Sequence, residues 1–540
     1  MAHWLVMIYL AGNNNLSEEC IFALTEMKKA ALSDNVTVMA QLDTSVHRHT
    51  PLRIKHGSTF GELNSELKAA RKRQEALLKL ANRKAKAAGS GPNKRGAAAA
   101  SELPEFAEVI FDFVNNCVTR QNEEKKADHY MLILSGHGNG VLADFLSQER
   151  SDSLDMFTLT QLMQKIKKEA LKGEKLDILG LDSCLMSMAE VADSLQDLAK
   201  VMISAEGFEP LSGWPYERVL TTVNEFASRP DALDDQNVKE LAKQIVCEYI
   251  GFYTDYLAAG VSVDLAACDL SKTHSLTSAV KGLATVFQTY LSKIRNALIL
   301  SHWESQSYMR EQYTDLYDFC QLMSGYCEVA AVKTACNDVM EAIKGNNGQA
   351  GFILKSCYSG LTVQYSFGAS LYFPWAEETT GLNRYKELPF ADTSGWAGFL
   401  EAYLDATKRP PRGQGEIDNF APEITLGSFR VISESGLSPL AIKSGSENKS
   451  GSENKSGSEN KSGSENKSGS ENKSGSENKN LANSISSMKN PPTGFRQCED
   501  CIEPAPNKRS KAAAGKGKKP AGWHSSGRPR KAKKKTSSKY

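Results

Sequence analysis

Residues 130–140 read YMLILSGHGNG, and residues 176–188 read LDILGLDSCLMSM. Each opens as a short run rich in Leu, Ile and Met with little polar alternation, and each stops at small or polar residues. Such runs suit strands covered on both faces, as in a parallel sheet. Three more runs share the pattern: WLVMIYL (4–10), VTVMAQLD (36–43) and KVMISAE (200–206). Helix-like segments lie between them. LSEECIFALTEMKKAAL follows the first run, PEFAEVIFDFVNN precedes YMLILSG, and FTLTQLMQKIKKEALK precedes LDILGLD. Strand alternating with helix predicts an α/β fold with a mainly parallel central sheet flanked by helices.

Open parallel sheets present ligands beyond the carboxyl ends of their strands. His137 stands just past one run and Cys184 just past the other. If the two strands are neighbours, both side chains reach the same rim. A thiol becomes a nucleophile only when a base or an electropositive setting makes it a thiolate, so His137 is the candidate base for Cys184. The glycines beside His137 let the backbone turn sharply and offer N–H groups to an oxyanion. LMSMAEVADSL (185–195) reads as a helix directly after Cys184, whose N-terminal dipole favours a thiolate. The competing reading is an ordinary turn and an inert core thiol, because cysteine is among the most buried residue types. A dinucleotide site at AGNNN (11–15) is disfavoured by the absence of GxGxxG.

SGHGNG, followed 47 residues after its His by the Cys of LDSCLMSMAEVA, resembles the clostripain-like cysteine peptidases, in the clan that also holds caspases, gingipains, legumain and separase. WLVMIYLAGNNNLSE resembles the opening strand and turn of that family. EGFEPLSGWPYE, QYTDLYDFCQLM, ASLYFP and YKELPFADTSGWAGFLEAY resemble its later landmarks, so the resemblance spans roughly 1–46 and 102–407. It implies a caspase-like α/β sandwich and an endopeptidase that cuts after Arg or Lys. Cys184 would be the nucleophile and His137 the general acid/base, with the Gly138 and Cys184 N–H groups as oxyanion hole. Asp182 falls where an acidic S1 residue is expected, with Glu206 and Glu209 as further candidates; a buried guanidinium needs such a carboxylate. The resemblance also implies self-cleavage between the His and the Cys, for which Arg150 in LSQERSDSLD is the candidate, and activation of some members by calcium. No EF-hand spacing is present, and neither metal nor cofactor is expected to be required. Ser183 and Asn139 stand where the family often has Ala and Gly. The rival from another class is a non-catalytic caspase-like scaffold tethered to nucleic acid by its tail.

The chain has 540 residues and a net charge of +1, which hides an asymmetry. Residues 62–100 carry ten Lys/Arg against three Glu, and residues 507–540 carry thirteen Lys/Arg and no acid. With +7 and +13 in those stretches, the rest of the chain holds −19. An acidic body attracts cationic ligands, and a basic tail attracts nucleic acid or anionic surfaces. The expected organisation is a peptidase domain over 1–430 with a basic insertion at 62–100. A disordered linker follows over 431–506, holding six SGSENK copies at 444–479, and then a basic tail over 507–540. The hexapeptide repeat has no apolar face and cannot bury a core. GRPRKAKKK (527–535) resembles an AT-hook, so DNA or another polyanion is the partner the tail suggests. QCEDC (497–501) is a lone CxxC that lacks two zinc ligands. Eleven scattered cysteines do not read as a disulfide framework. No apolar run spans a membrane, and the N-terminal run lacks a basic n-region. The expected location is therefore intracellular and cytoplasmic, or nuclear if the source is a eukaryote.

Overall fold

The computed structural model describes residues 1–43, 50–54, 103–142, 144–148, 153–256, 260–309, 312–346, 348–375 and 379–407. The insertion at 62–100, Arg150, the SGSENK repeats, QCEDC and the 507–540 tail lie outside them.

The apolar runs form a sheet of eight strands. β1 (Trp4–Ala11), β2 (Val36–Asp43), β4 (His129–Ser135), β5 (Leu176–Asp182) and β6 (Ala199–Ser204) are the five read from sequence. β3 (Thr50–Ile54), β7 (Val263–Asp269) and an edge strand at Ile353–Ser359 complete it. The order is β3-β2-β1-β4-β5-β6-β7 and then the edge strand. The pairs β1–β2, β1–β4, β4–β5 and β5–β6 are parallel, while β2–β3, β6–β7 and β7 with the edge strand are antiparallel.

β1 shows why these runs lack alternation. Leu5, Met7, Tyr9 and Ala11 join one apolar cluster, while Trp4, Val6, Ile8 and Leu10 join the other. The two-residue period is intact, but both faces are inside, and each fully buried aliphatic contributes about 1.5–3 kcal/mol. Helices Glu105–Glu124, Met156–Lys165 and Thr273–Glu304 cover one face; Ser17–Met27, Tyr216–Ala227 and Asp235–Thr254 cover the other. The expectation of a mainly parallel, helix-flanked sheet is met.

The helix Asp235–Thr254 carries Cys247, and the edge strand carries Cys357. Both are disulfide-bonded, and the edge strand packs against that helix. GASLYFPWAEE contributes only Ser370–Tyr372, in a small sheet with Ser307–Tyr308 and Tyr313–Asp315. SGWAGFLEAYLDATK forms the helix Trp396–Thr407. Among the described residues no helix is long and apolar enough to cross a membrane.

Candidate active site

β4 and β5 pair in parallel, with Ser135 opposite Asp182. His137 and Cys184 each follow two residues later, so the register that aligns the strands also aligns these residues at one rim. The two loops are tied together: the Gly136 N–H donates to the Asp182 carbonyl at 3.2 Å, and the Ser183 hydroxyl donates to the Gly136 carbonyl at 2.7 Å. Gly138 lies against the loop that carries Cys184. A Cβ there would stand 2.4 Å from the Cys184 carbonyl oxygen and 3.3 Å from the Cys184 nitrogen. Only glycine permits that approach.

β1 leaves the sheet toward β2 on one side and has β4 on the other, so the rim beyond β1 and β4 is where the winding reverses. The AGNNN turn after β1 reaches across it, and Asn15 Oδ1 sits 2.6 Å from His137 Nε2. The imidazole is 5% exposed. Its backbone is held as well, because the Leu146 N–H donates to the His137 carbonyl at 2.7 Å. The Tyr313 hydroxyl donates to the Asn139 carbonyl at 2.8 Å, which seats the small sheet on the HGNG loop.

The expected helix directly after Cys184 is corrected. It begins at Ala189, five residues on, and spans only Ala189–Leu195. Leu185 takes a left-handed conformation (φ 64°), and its N–H donates to the Gly207 carbonyl at 2.9 Å. The intervening turn therefore carries Cys184 away from the helix dipole. The thiol instead receives the Glu209 backbone N–H, 3.3 Å from Sγ. An amide donor of this kind stabilises sulfur more as thiolate than as thiol. Cys184 is fully buried.

The three candidate S1 carboxylates fall into two groups. Asp182 accepts from the Tyr216 hydroxyl at 2.8 Å, and Glu209 accepts from the Trp214 indole N–H at 3.1 Å. Both are wholly buried beside the same segment, 213–216, and a Cβ on Gly213 (φ 65°) would stand 2.8 Å from the Asp182 carboxylate. Glu206 turns elsewhere. It accepts from the Gly368 N–H at 2.6 Å and faces Asp315, so it braces the end of β6 against the 367–368 turn instead of joining Asp182. Burial pushes Asp315 up to about 8, and Asp264 and Asp318 up to about 6; Glu206 rises well above the usual carboxylate range for the same reason. Among the described residues no group of three or more His, Cys, Asp or Glu side chains could hold a metal ion.

Asn15 and the Glu209 amide escaped the sequence reading. The first is joined to His137 across 122 residues, and the second is a backbone group with no side-chain signature. AGNNN, a turn-rich stretch directly after a buried strand, was the available signal for the first.

The sequence profile of the clostripain family matches residues 104–403. No curated protein matches the chain. Among solved structures it is similar to a secreted C11 cysteine protease from Bacteroides thetaiotaomicron in complex with an irreversible peptide inhibitor. The identity is 14% and the TM-score 0.46, over 73% of this chain and 100% of that one. It is also similar to an inactive zymogen C11 protease from Parabacteroides distasonis, at 17% identity and a TM-score of 0.47, over 73% of this chain and 99% of that one.

Proposed function

The chain belongs to the clostripain family of cysteine peptidases, and from that premise we propose that it is an endopeptidase that cuts after Arg or Lys through Cys184 and His137. The observation that carries this reading is the shared register of β4 and β5, which brings the two residues off the sheet in step.

In the proposed reaction His137 takes the Cys184 proton, and the thiolate attacks the scissile carbonyl carbon. The carbonyl oxygen becomes an oxyanion that accepts from the Gly138 and Cys184 N–H groups. His137 returns the proton to the leaving amine as the C–N bond breaks, leaving a thioester. A water, deprotonated by His137, then releases the acid and regenerates the thiol. Asp182 and Glu209 support the basic P1 preference. Each is a buried carboxylate of the kind a P1 guanidinium requires as its partner.

Self-cleavage at Arg150 belongs to the same proposal. Phe145 and Leu154, which flank that residue, exchange backbone hydrogen bonds of 2.8 Å in both directions. A cut between them would leave both new ends anchored.

The test is a fluorogenic peptide panel with Arg, Lys, Asp, Asn or Leu at P1, run with and without calcium. Cleavage after Arg and Lys that disappears in Cys184→Ala and weakens sharply in folded Asp182→Asn is the expected result. Cleavage after Asp or Leu refutes the S1 reading. No cleavage of any peptide refutes the peptidase reading and favours a scaffold whose tail does the work.

A further inference from the structure

We propose that Asn15 is a positioning residue for His137: its side-chain carbonyl accepts from Nε2–H, fixes the imidazole tautomer, and leaves Nδ1 to exchange the proton with Cys184. The inference rests on the peptidase reading above and adds a third side chain to it.

Geometry carries the argument. The Asn15 Oδ1 to His137 Nε2 distance is 2.6 Å. An asparagine amide can meet a ring nitrogen as acceptor or as donor. Were the amide N–H₂ turned to Nε2, the neutral ring would carry its proton on Nδ1 and could not receive one there. Only the carbonyl orientation leaves a lone pair on Nδ1 for the thiol proton. The same contact persists when the ring is charged, because imidazolium keeps its Nε2–H. Asn15 therefore serves both protonation states of the cycle and favours the charged one, since hydrogen bonds from ionised donors are the stronger.

The turn that presents Asn15 is itself braced. Asn14 Nδ2 donates to the Ala11 carbonyl at 3.1 Å and to the Ser147 carbonyl at 2.8 Å, and Asn14 Oδ1 accepts from the Leu16 N–H at 2.8 Å. The Ser17 hydroxyl closes the turn on the Gly12 carbonyl at 2.6 Å. Residues 146 and 147 thus hold the histidine twice, directly through the Leu146 N–H and indirectly through Asn14 and Asn15. Asn15 itself is exposed whereas His137 is buried, so no role in core packing accounts for its side chain.

The test uses the full-length chain labelled with ¹⁵N-histidine, with the His137 resonances assigned by their absence in His137→Gln. Wild type should show the Nε2–H tautomer near neutral pH. Asn15→Ala should lose that fixed tautomer and lower kcat/KM by about 10- to 100-fold, as the loss of a hydrogen bond to a charged group does, with KM and Tm near wild type. Asn15→Asp, which keeps an acceptor at the same place and adds a charge, should restore the tautomer and raise the pH at which imidazolium is lost by about one unit. An Nδ1–H tautomer in active wild-type enzyme, or an Asn15→Ala variant with unchanged kcat and tautomer, overturns the role of Asn15 alone. A wild-type chain that cuts no peptide overturns the peptidase reading instead, whatever the tautomer.

Discussion

Gly138→Ala is the sharpest probe of how the two loops fit. The added methyl group would stand 2.4 Å from the Cys184 carbonyl oxygen, 3.0 Å from the Ser183 Cβ and 3.3 Å from the Cys184 nitrogen. Ordinary contact begins near 3.4 Å, so the first of these needs about 1 Å of movement. Two of these atoms are Cys184 backbone and the third is the Ser183 Cβ, so none is the far end of a flexible chain. The movement must therefore separate the histidine loop from the cysteine loop. A misplacement of about 1 Å between reacting groups costs roughly 100-fold in rate, and overpacking of this kind costs about 1–3 kcal/mol of stability. The assay is kcat and KM on a P1-Arg peptide, with Tm and the alkylation rate of Cys184 measured alongside. The expected outcome is a fall of about 100-fold in kcat in a variant that still folds. A Gly138→Ala enzyme within about threefold of wild type would show that the loops do not meet as described.

Gly282 is the counterpart, an exposed glycine inside the helix Thr273–Glu304 with nothing within 4 Å of an added Cβ. Gly282→Ala should raise stability by about 1 kcal/mol and leave kcat unchanged; a lower Tm would contradict the open environment. The carboxyls around Glu206 set a pH dependence. Their raised values mean that the native state holds protons the unfolded chain releases near pH 4, so their contribution is fullest below that pH. It is lost as pH rises through about 6 for Asp264 and Asp318 and about 8 for Asp315. Asp315→Asn should flatten the fall in Tm between pH 5 and pH 8.5, and an unchanged slope would assign the effect elsewhere.

The five buried strands were legible because burial on both faces produces dense aliphatic runs, and the match at Leu176–Asp182 is residue for residue. The antiparallel strands were not. TPLRI holds a proline, VDLAACD (263–269) has small residues and acids at its second and last positions, and ILKSCYS is half-exposed at the sheet edge. Edge and flanking strands are specified by their neighbours more than by their own composition. The placement of His137 and Cys184 just past two neighbouring parallel strands was legible because strand ends announce themselves. The delayed helix was not, since Leu185 adopts a conformation that nothing in LMSM announces. Glu206 and Glu209 lie three residues apart in one loop and serve different neighbours, a distinction that only the path of the backbone makes.

The disulfide-bonded state of Cys247 and Cys357 sets the chain a chemical contradiction. A cysteine nucleophile needs a medium reducing enough to keep its sulfur free, while Cys247 and Cys357 need one oxidising enough to stay joined. Burial separates the two demands only in part: Cys184 and Cys357 are buried, but Cys247 is half-buried, so a small thiol has a way to the disulfide through Cys247. Generous reductant, the habitual additive for a thiol enzyme, works against the disulfide-bonded state of Cys247 and Cys357.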